Sequence, residues 1–132
     1  MKVLITNDKL TLMVFPELKM IVHQIHGVVS GEQFRNMLMT GTDAFEEYGC
    51  TKWLSDDHRN SMVSMEDLEW GKSVWEPRIL EAGWKYWALV IPQKVLGEMA
   101  MRGIMKRYVE LGVTARIFDL YDEAFNWLQE QV

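Results

Sequence analysis

Tyr48-Gly49-Cys50-Thr51-Lys52-Trp53-Leu54-Ser55-Asp56-Asp57-His58-Arg59 contains the signals that decide the fold. Upstream, Phe34, Met37, Leu38, Gly41, Phe45 and Tyr48 recur at three, four and seven residues, the spacing of one buried helical face. Gly49 then supplies a stop, because the residue after a helix often takes a left-handed conformation that glycine reaches without strain. Thr51 to Leu54 reads as a short strand, and the run closes on a dense polar segment. Ser30 followed by Gln33 is the expected capping-box start of the helix.

The same grammar occurs twice more, with Ala82-Gly83 before Trp84 to Ile91 and Leu111-Gly112 before Val113 to Phe118. Val3 to Ile5, Leu10 to Phe15 and Lys19 to His26 are β-prone, and Pro16-Glu17 marks a turn between the last two. A hairpin followed by alternating helices and strands predicts an α/β chain of one domain. Its mixed sheet should have about five strands, flanked by about four helices, with parallel pairing in the second half.

The middle helix is predicted to start at Ser64, with Asp67 reaching back, and to bury Leu68, Gly71, Trp75, Ile79 and Ala82. Pro77 should kink or split it, since it cannot donate to the Ser73 carbonyl. Trp70 falls opposite that stripe, near Val74 and Pro77, where an exposed patch would serve an interface and burial under a loop is the competing reading. The next helix should pack through Leu96, Ala100, Met101, Ile104, Met105 and Tyr108. The last follows Asp119, with Asp122 completing a cap and Tyr121, Ala124 and Leu128 inward.

The 132 residues suffice for a single core. One cysteine excludes an internal disulfide, and with no signal segment the expected compartment is a reducing cytoplasm. No apolar run reaches the ~20 residues of a membrane span. A net charge of -5 argues against nucleic acid as a partner. From Glu32 to Glu69 nine acidic residues face three basic ones, whereas Lys94 to Arg116 holds five basic against two acidic. Such polarity could orient a partner or a second copy, and solvated helix faces are the simpler account.

The three histidines, His23, His26 and His58, give no local chelate, because His23 and His26 point to opposite faces of a strand. No metal or other cofactor is expected. Cys50 lacks the basic neighbour or helix N-terminus that would activate a thiol. Ser55, Ser61 and Ser64 near His58 and two aspartates imitate a triad in composition, but residues adjacent along one loop rarely converge in space. Phosphate-loop and dinucleotide signatures are absent.

Lys52-Trp53-Leu54-Ser55-Asp56 with Arg59, Glu69-Trp70, Trp75-Glu76-Pro77-Arg78, Gly83 before the strand ending in Pro92, and Ile117-Phe118-Asp119 followed by Glu123-Ala124-Phe125-Asn126-Trp127-Leu128 resemble the STAS superfamily. Within it they are similar to the branch of small bacterial proteins related to anti-sigma factor antagonists and to CRAL-TRIO lipid-transfer domains. The resemblance runs from Leu18 onward. It implies a sheet flanked by helices and a regulatory or ligand-binding role without turnover. The phosphoacceptor serine of the antagonists would fall near Ser64, but Asn60-Ser61-Met62-Val63-Ser64 replaces their signature and a plain helix cap is the simpler role.

The sequence therefore points to a non-catalytic STAS-like domain, regulatory or protein-interacting, with a protein partner or a homodimer. Its contact residues would be Trp53, Asp56, Asp57, His58, Arg59 and Trp70, with Ser64 as a phosphoacceptor site. A carrier of a small apolar ligand is the alternative, suggested by the Met- and Trp-rich helices. A hydrolase-type activity at the Asp56 to Arg59 loop is a third reading, which requires environments that push paired carboxylates apart in pKa. The simplest account of Asp56 and Arg59 is a local turn and ion pair.

Overall fold

The structure is a computed structural model that describes residues 1–59, 64–92 and 96–132. Six strands form one sheet in chain order: β1 (Lys2–Thr6), β2 (Leu10–Phe15), β3 (Met20–Ile25), β4 (Lys52–Asp56), β5 (Tyr86–Val90) and β6 (Thr114–Phe118). Each of the six β-prone segments of the sequence forms a strand, in keeping with the expected sheet of about five. β1–β2 and β2–β3 pair antiparallel, and β3 to β6 are parallel. Pro16–Leu18 is a 3-10 turn between β2 and β3, closed by Lys19 in the left-handed region (φ 56°).

The helical segments are α1 (Gly31–Glu47), α2 (Met65–Trp70), a π turn (Gly71–Trp75), α3 (Glu76–Glu81), α4 (Glu98–Glu110) and α5 (Tyr121–Gln129). Parallel crossovers are right-handed, so a strictly sequential strand order puts successive crossover helices on one face. That face carries the larger core, where Leu12, Ile21, Ile25 and Trp53 meet Met37, Phe45 and Ile79. α5 covers the other face, with Ala124 and Leu128 on Val22, Leu54 and Ala88. The three glycines that follow helices, Gly49, Gly83 and Gly112, all adopt positive φ (62°, 102° and 85°), as the sequence grammar requires.

Helix details depart from expectation in three places. The N-cap Ser30 makes no side-chain cap hydrogen bond, and the first backbone N–H of α1, at Gly31, donates to Asp67 Oδ2 at 2.9 Å. Ser64 does cap α2, its Oγ accepting from the Asp67 N–H at 3.0 Å, and the Asp67 carboxylate, besides its contact with the Ser64 hydroxyl, also reaches across to α1. α4 rides along the edge strand β6, so none of its residues is fully buried: Met101, Ile104 and Tyr108 are half-buried, while Ala100 and Met105 are exposed. At α5 the N-cap is Leu120, which has no side-chain acceptor, so the cap expected from Asp119 and Asp122 does not form at that position.

The middle helix divides at Pro77, as its missing N–H dictates, and it does so through the π turn. The Glu76 N–H bonds back to the Gly71 carbonyl, five residues away. Widening this turn relieves the collision that the Pro77 ring would make with the Ser73 carbonyl in a regular α-helix. One extra residue per turn also rotates what precedes it. Leu68, expected in the buried stripe, is exposed, and Trp70, expected opposite the stripe, is half-buried against the same core as Trp75.

Candidate functional site

Parallel register sets the first row of the site. His23 on β3 lies beside Ser55 on β4, which lies beside Leu89 on β5, and all three point to the helix-bearing face. Two residues earlier on β4, the Trp53 indole N–H donates to His23 Nδ1 at 3.1 Å. An indole nitrogen only donates, so Nδ1 must be the acceptor and the ring proton sits on Nε2. His23 Nε2 therefore donates to Asp57 Oδ1 at 2.8 Å. Asp57 follows directly after β4, and its backbone N–H, bonded to the Val90 carbonyl at 2.9 Å, fixes its position.

The π turn and α3 form the opposite wall. Glu76 is buried, and its carboxylate accepts both guanidinium arms of Arg107 (2.7 and 3.0 Å) and the Tyr108 hydroxyl (3.1 Å), tying this helix to α4. Burial pushes the Tyr108 phenol up to about 12, with the Glu76 charge adding to the rise. The Trp75 indole N–H donates to Thr42 Oγ1 on α1, and that of Trp87 to Ser55 Oγ, both at 2.9 Å. Asp67, also buried, is held below the usual carboxylate range chiefly by the Gly31 N–H, with Ser64 and Arg35 contributing and burial opposing.

Between these walls lies a cleft of about 220 Å³. Phe34, Leu38, Trp75, Trp87, Leu89 and Tyr108 make its surface predominantly apolar, and His23, Ser55, Asp57 and Glu76 add polar atoms. It opens on the helix-bearing side of the sheet near the ends of β4 and β5, a usual position for ligand sites in open α/β folds. Two further depressions, about 290 Å³ by Phe15 and Phe125 and about 420 Å³ between α4 and β6, have mixed polar linings. They gather no comparable network of buried polar side chains.

The polar run that looked like one surface in sequence is split by the pleat. Trp53 is fully buried, so it is a core residue that supports His23, and the expectation that it forms part of a contact surface is corrected. Asp56 and Asp57 point to opposite faces, Asp57 to the cleft and Asp56 towards α5, where burial raises the Tyr121 phenol and the Asp56 charge adds to the rise. Asp56 lies against His58 Nδ1 and not against Arg59, so the expected Asp56–Arg59 ion pair gives way to an Asp56–His58 pair. His58 and Arg59 are exposed.

That separation removes the geometry a shared Asp56–Asp57–His58 acid–base centre would need. Trp70 stacks under the Arg35 guanidinium, 5.4 Å from its ring, and packs on the core, so it contributes at most an edge to a contact surface. Residues 60–63, which replace the antagonist signature and include Ser61, lie outside the described residues, as do residues 93–95 with Lys94.

Reading along the chain missed His23, Glu76 and Tyr108 as members of the site. Only the first had a usable signal: a histidine within the predicted strand Lys19 to His26, whose alternation assigns it to one face of the sheet. Burial takes the Cys50 thiol out of play as a nucleophile, since it pushes that thiol up to about 11. Among the described residues no three metal-ligating side chains converge, and no helix is long and apolar enough to cross a membrane.

No protein-family model matches the chain, and no curated protein does. Among solved structures it is similar to an uncharacterised protein of the DUF3478 family with a SpoIIAA-like fold from Shewanella loihica PV-4. The TM-score is 0.60 at 15% identity over 93% of this chain and 96% of the other. Identity this low speaks for the fold alone. Together with the six-stranded mixed sheet and its opening hairpin, it shows that this chain has the SpoIIAA-like fold, the fold of STAS and anti-sigma antagonist domains.

Proposed function

We propose that the chain is a non-catalytic STAS-like binding domain that takes a small, largely apolar molecule into the cleft between the β3–β5 face and the α2–α3 helix. The observation that carries this reading is the cleft itself: about 220 Å³, apolar for the most part, with its few polar groups fixed by internal hydrogen bonds. Ligand sites typically combine an apolar lining with a small number of oriented polar groups, and pockets for drug-sized ligands span ~300–1,000 Å³. A smaller ligand fits this one. Both nitrogens of His23 are engaged, so it has no lone pair to act as a base, which favours binding over chemistry.

Trp75 and Trp87 line the cleft and report on it. Small alcohols, amines and acids titrated against the protein are expected to shift tryptophan emission and the Trp75 and Trp87 indole N–H resonances, and native mass spectrometry is expected to retain a ligand. A panel that leaves both resonances unmoved, with no co-purifying mass, refutes the reading. A partner protein or a second copy of the chain is a second reading, favoured by Met65, Leu68 and Val74, which are exposed on α2 and the π turn beside the cleft. Sedimentation that shows only monomer, with no partner recovered from the native host, counts against it.

A further inference from the structure

We propose that the cleft selects a small organic cation, an ammonium on a short hydrocarbon body, with Asp57 as the charge partner and the indole rings as the walls. This rests on the cleft being a ligand site. The first observation is a shortage of donors. The Trp53, Trp75 and Trp87 indole N–H groups, the His23 Nε2–H and the Tyr108 hydroxyl all donate inside the protein. Apart from the Ser55 hydroxyl and the exposed Lys72 at the lining, the side chains around the cleft offer a ligand acceptors and π faces. An anion, which needs several convergent donors, finds few here.

The second observation is an unbalanced charge. Three carboxylates line the cleft, Asp57, Asp67 and Glu76, and the cation among the described lining residues, Lys72, is exposed and bridges to none of them. Arg107 neutralises Glu76, and Asp67 has the Gly31 N–H at 2.9 Å and Arg35 Nε at 3.5 Å. Among the described residues Asp57 is paired only with His23, and the Trp53 indole fixes that imidazole as the Nε2–H tautomer, which carries no charge. Asp57 keeps 27% of its side chain accessible, so a bound cation could reach it. The aromatic walls add to this, because the negative face of an indole or phenol ring attracts cations. The protein already uses that attraction, with Arg35 over Trp70 and Arg107 over Tyr108 at 5.4 and 5.2 Å.

Three probes of matched length, n-butylammonium, 1-butanol and butyrate, with tetramethylammonium as a fourth, separate this inference from the simpler reading. The measurement is an NMR titration of the Trp75 and Trp87 indole resonances at two salt concentrations. The ammonium probes are expected to bind about tenfold more tightly than the alcohol, butyrate more weakly than either, and added salt to narrow the gap. Asp57→Asn should bring the ammonium down to the level of the alcohol and leave the alcohol unchanged.

Equal affinity for ammonium and alcohol, or a preference for butyrate, overturns the cation inference and leaves the cleft as an apolar site. Failure of every probe to move either resonance overturns the cleft reading itself. Should Asp57→Asn not fold, the order of the probes on the native protein and its salt dependence still decide.

Discussion

Replacing Gly41 with alanine tests how tightly α1 is seated against the β4 tryptophan. An ideal Cβ at Gly41 falls 2.5 Å from Cη2 of Trp53, with Cζ2 at 3.1 Å and Cζ3 at 3.3 Å. Carbon atoms normally rest ~3.5–4.0 Å apart, so helix and ring must separate by about 1 Å. The ring has nowhere to go. It is fully buried, it donates its N–H to His23, and Trp75 packs edge-on against it at 5.5 Å. Overpacking of this kind costs about 1–3 kcal/mol.

Separating the Trp53 N–H from His23 adds about 1–3 kcal/mol for unpaired buried groups, while alanine's helix propensity offsets about 1 kcal/mol. The net loss is about 1–5 kcal/mol, and its centre of ~3 kcal/mol corresponds to a Tm lower by roughly 10 °C in a chain of this size. Gly103 on α4 is the matched control, since a Cβ there meets no heavy atom within 4 Å. Gly103→Ala should raise stability by about 0.5–1 kcal/mol. Calorimetry on both variants checks the sign, and the Trp53 indole N–H resonance checks the mechanism. If Gly41→Ala melts at or above the parent temperature, the close seating of α1 on Trp53 is wrong.

Asp67→Asn should destabilise by about 1–3 kcal/mol at neutral pH by weakening a charge-assisted bond to the α1 N-terminus. Because the Asp67 pKa is depressed in the folded state, its contribution is fully present above the ordinary carboxylate range and is lost as pH falls through the folded value. The gap between variant and parent in urea melts should therefore close in acid, and a gap that is independent of pH would contradict the assignment. Trp70→Ala is expected to lower stability by about 1–3 kcal/mol with no change in sedimentation, because the ring is half-buried on the core and stacked with Arg35. A changed sedimentation profile at unchanged Tm would restore Trp70 as an interface residue. Cys50, buried and raised to about 11, should resist a thiol reagent at pH 8 until denaturant exposes it, and rapid labelling of the native protein would show that its shelter opens.

Much of the fold is written in local signals. Gly49, Gly83 and Gly112 mark three helix ends because the left-handed conformation is a local backbone need, and the apolar run at Ala88 to Val90 marks a strand covered on both faces because burial leaves no room for alternation. The face of α1 was legible for the same reason: Met37, Leu38, Gly41 and Phe45 are buried as their spacing requires. Caps were less legible, since they depend on distant atoms. Ser30 has a capping sequence, yet its helix N-terminus is served from α2, 36 residues downstream, by a carboxylate whose own sequence context also reads as a cap. The reversal of charge along the chain looked like a surface for a partner, but part of it is consumed internally by Arg107 on Glu76 and by Arg78 on Asp43 and Glu46.

The site was hidden by two shifts of phase that single-period reasoning cannot carry. Along a regular α-helix Trp70 and Trp75, five residues apart at 100° each, stand about 140° from one another, which places one in the core and the other outside. With hydrogen bonds closing over five residues, positions five apart come back to nearly the same side, so both rings pack on one core. Pro77, the residue that disfavours the regular turn, was visible in the sequence, but whether its strain would be released as a kink, a break or a wider turn depends on what the helix packs against. On β4 the opposite simplification failed. Asp56 and Asp57 are neighbours, so they read as one polar surface, whereas the pleat sends Asp57 to His23 and the aromatic cleft and Asp56 to the far face. What joins Asp57 to its working partners is the parallel register of β3 on β4, a contact across 34 residues that no local motif encodes.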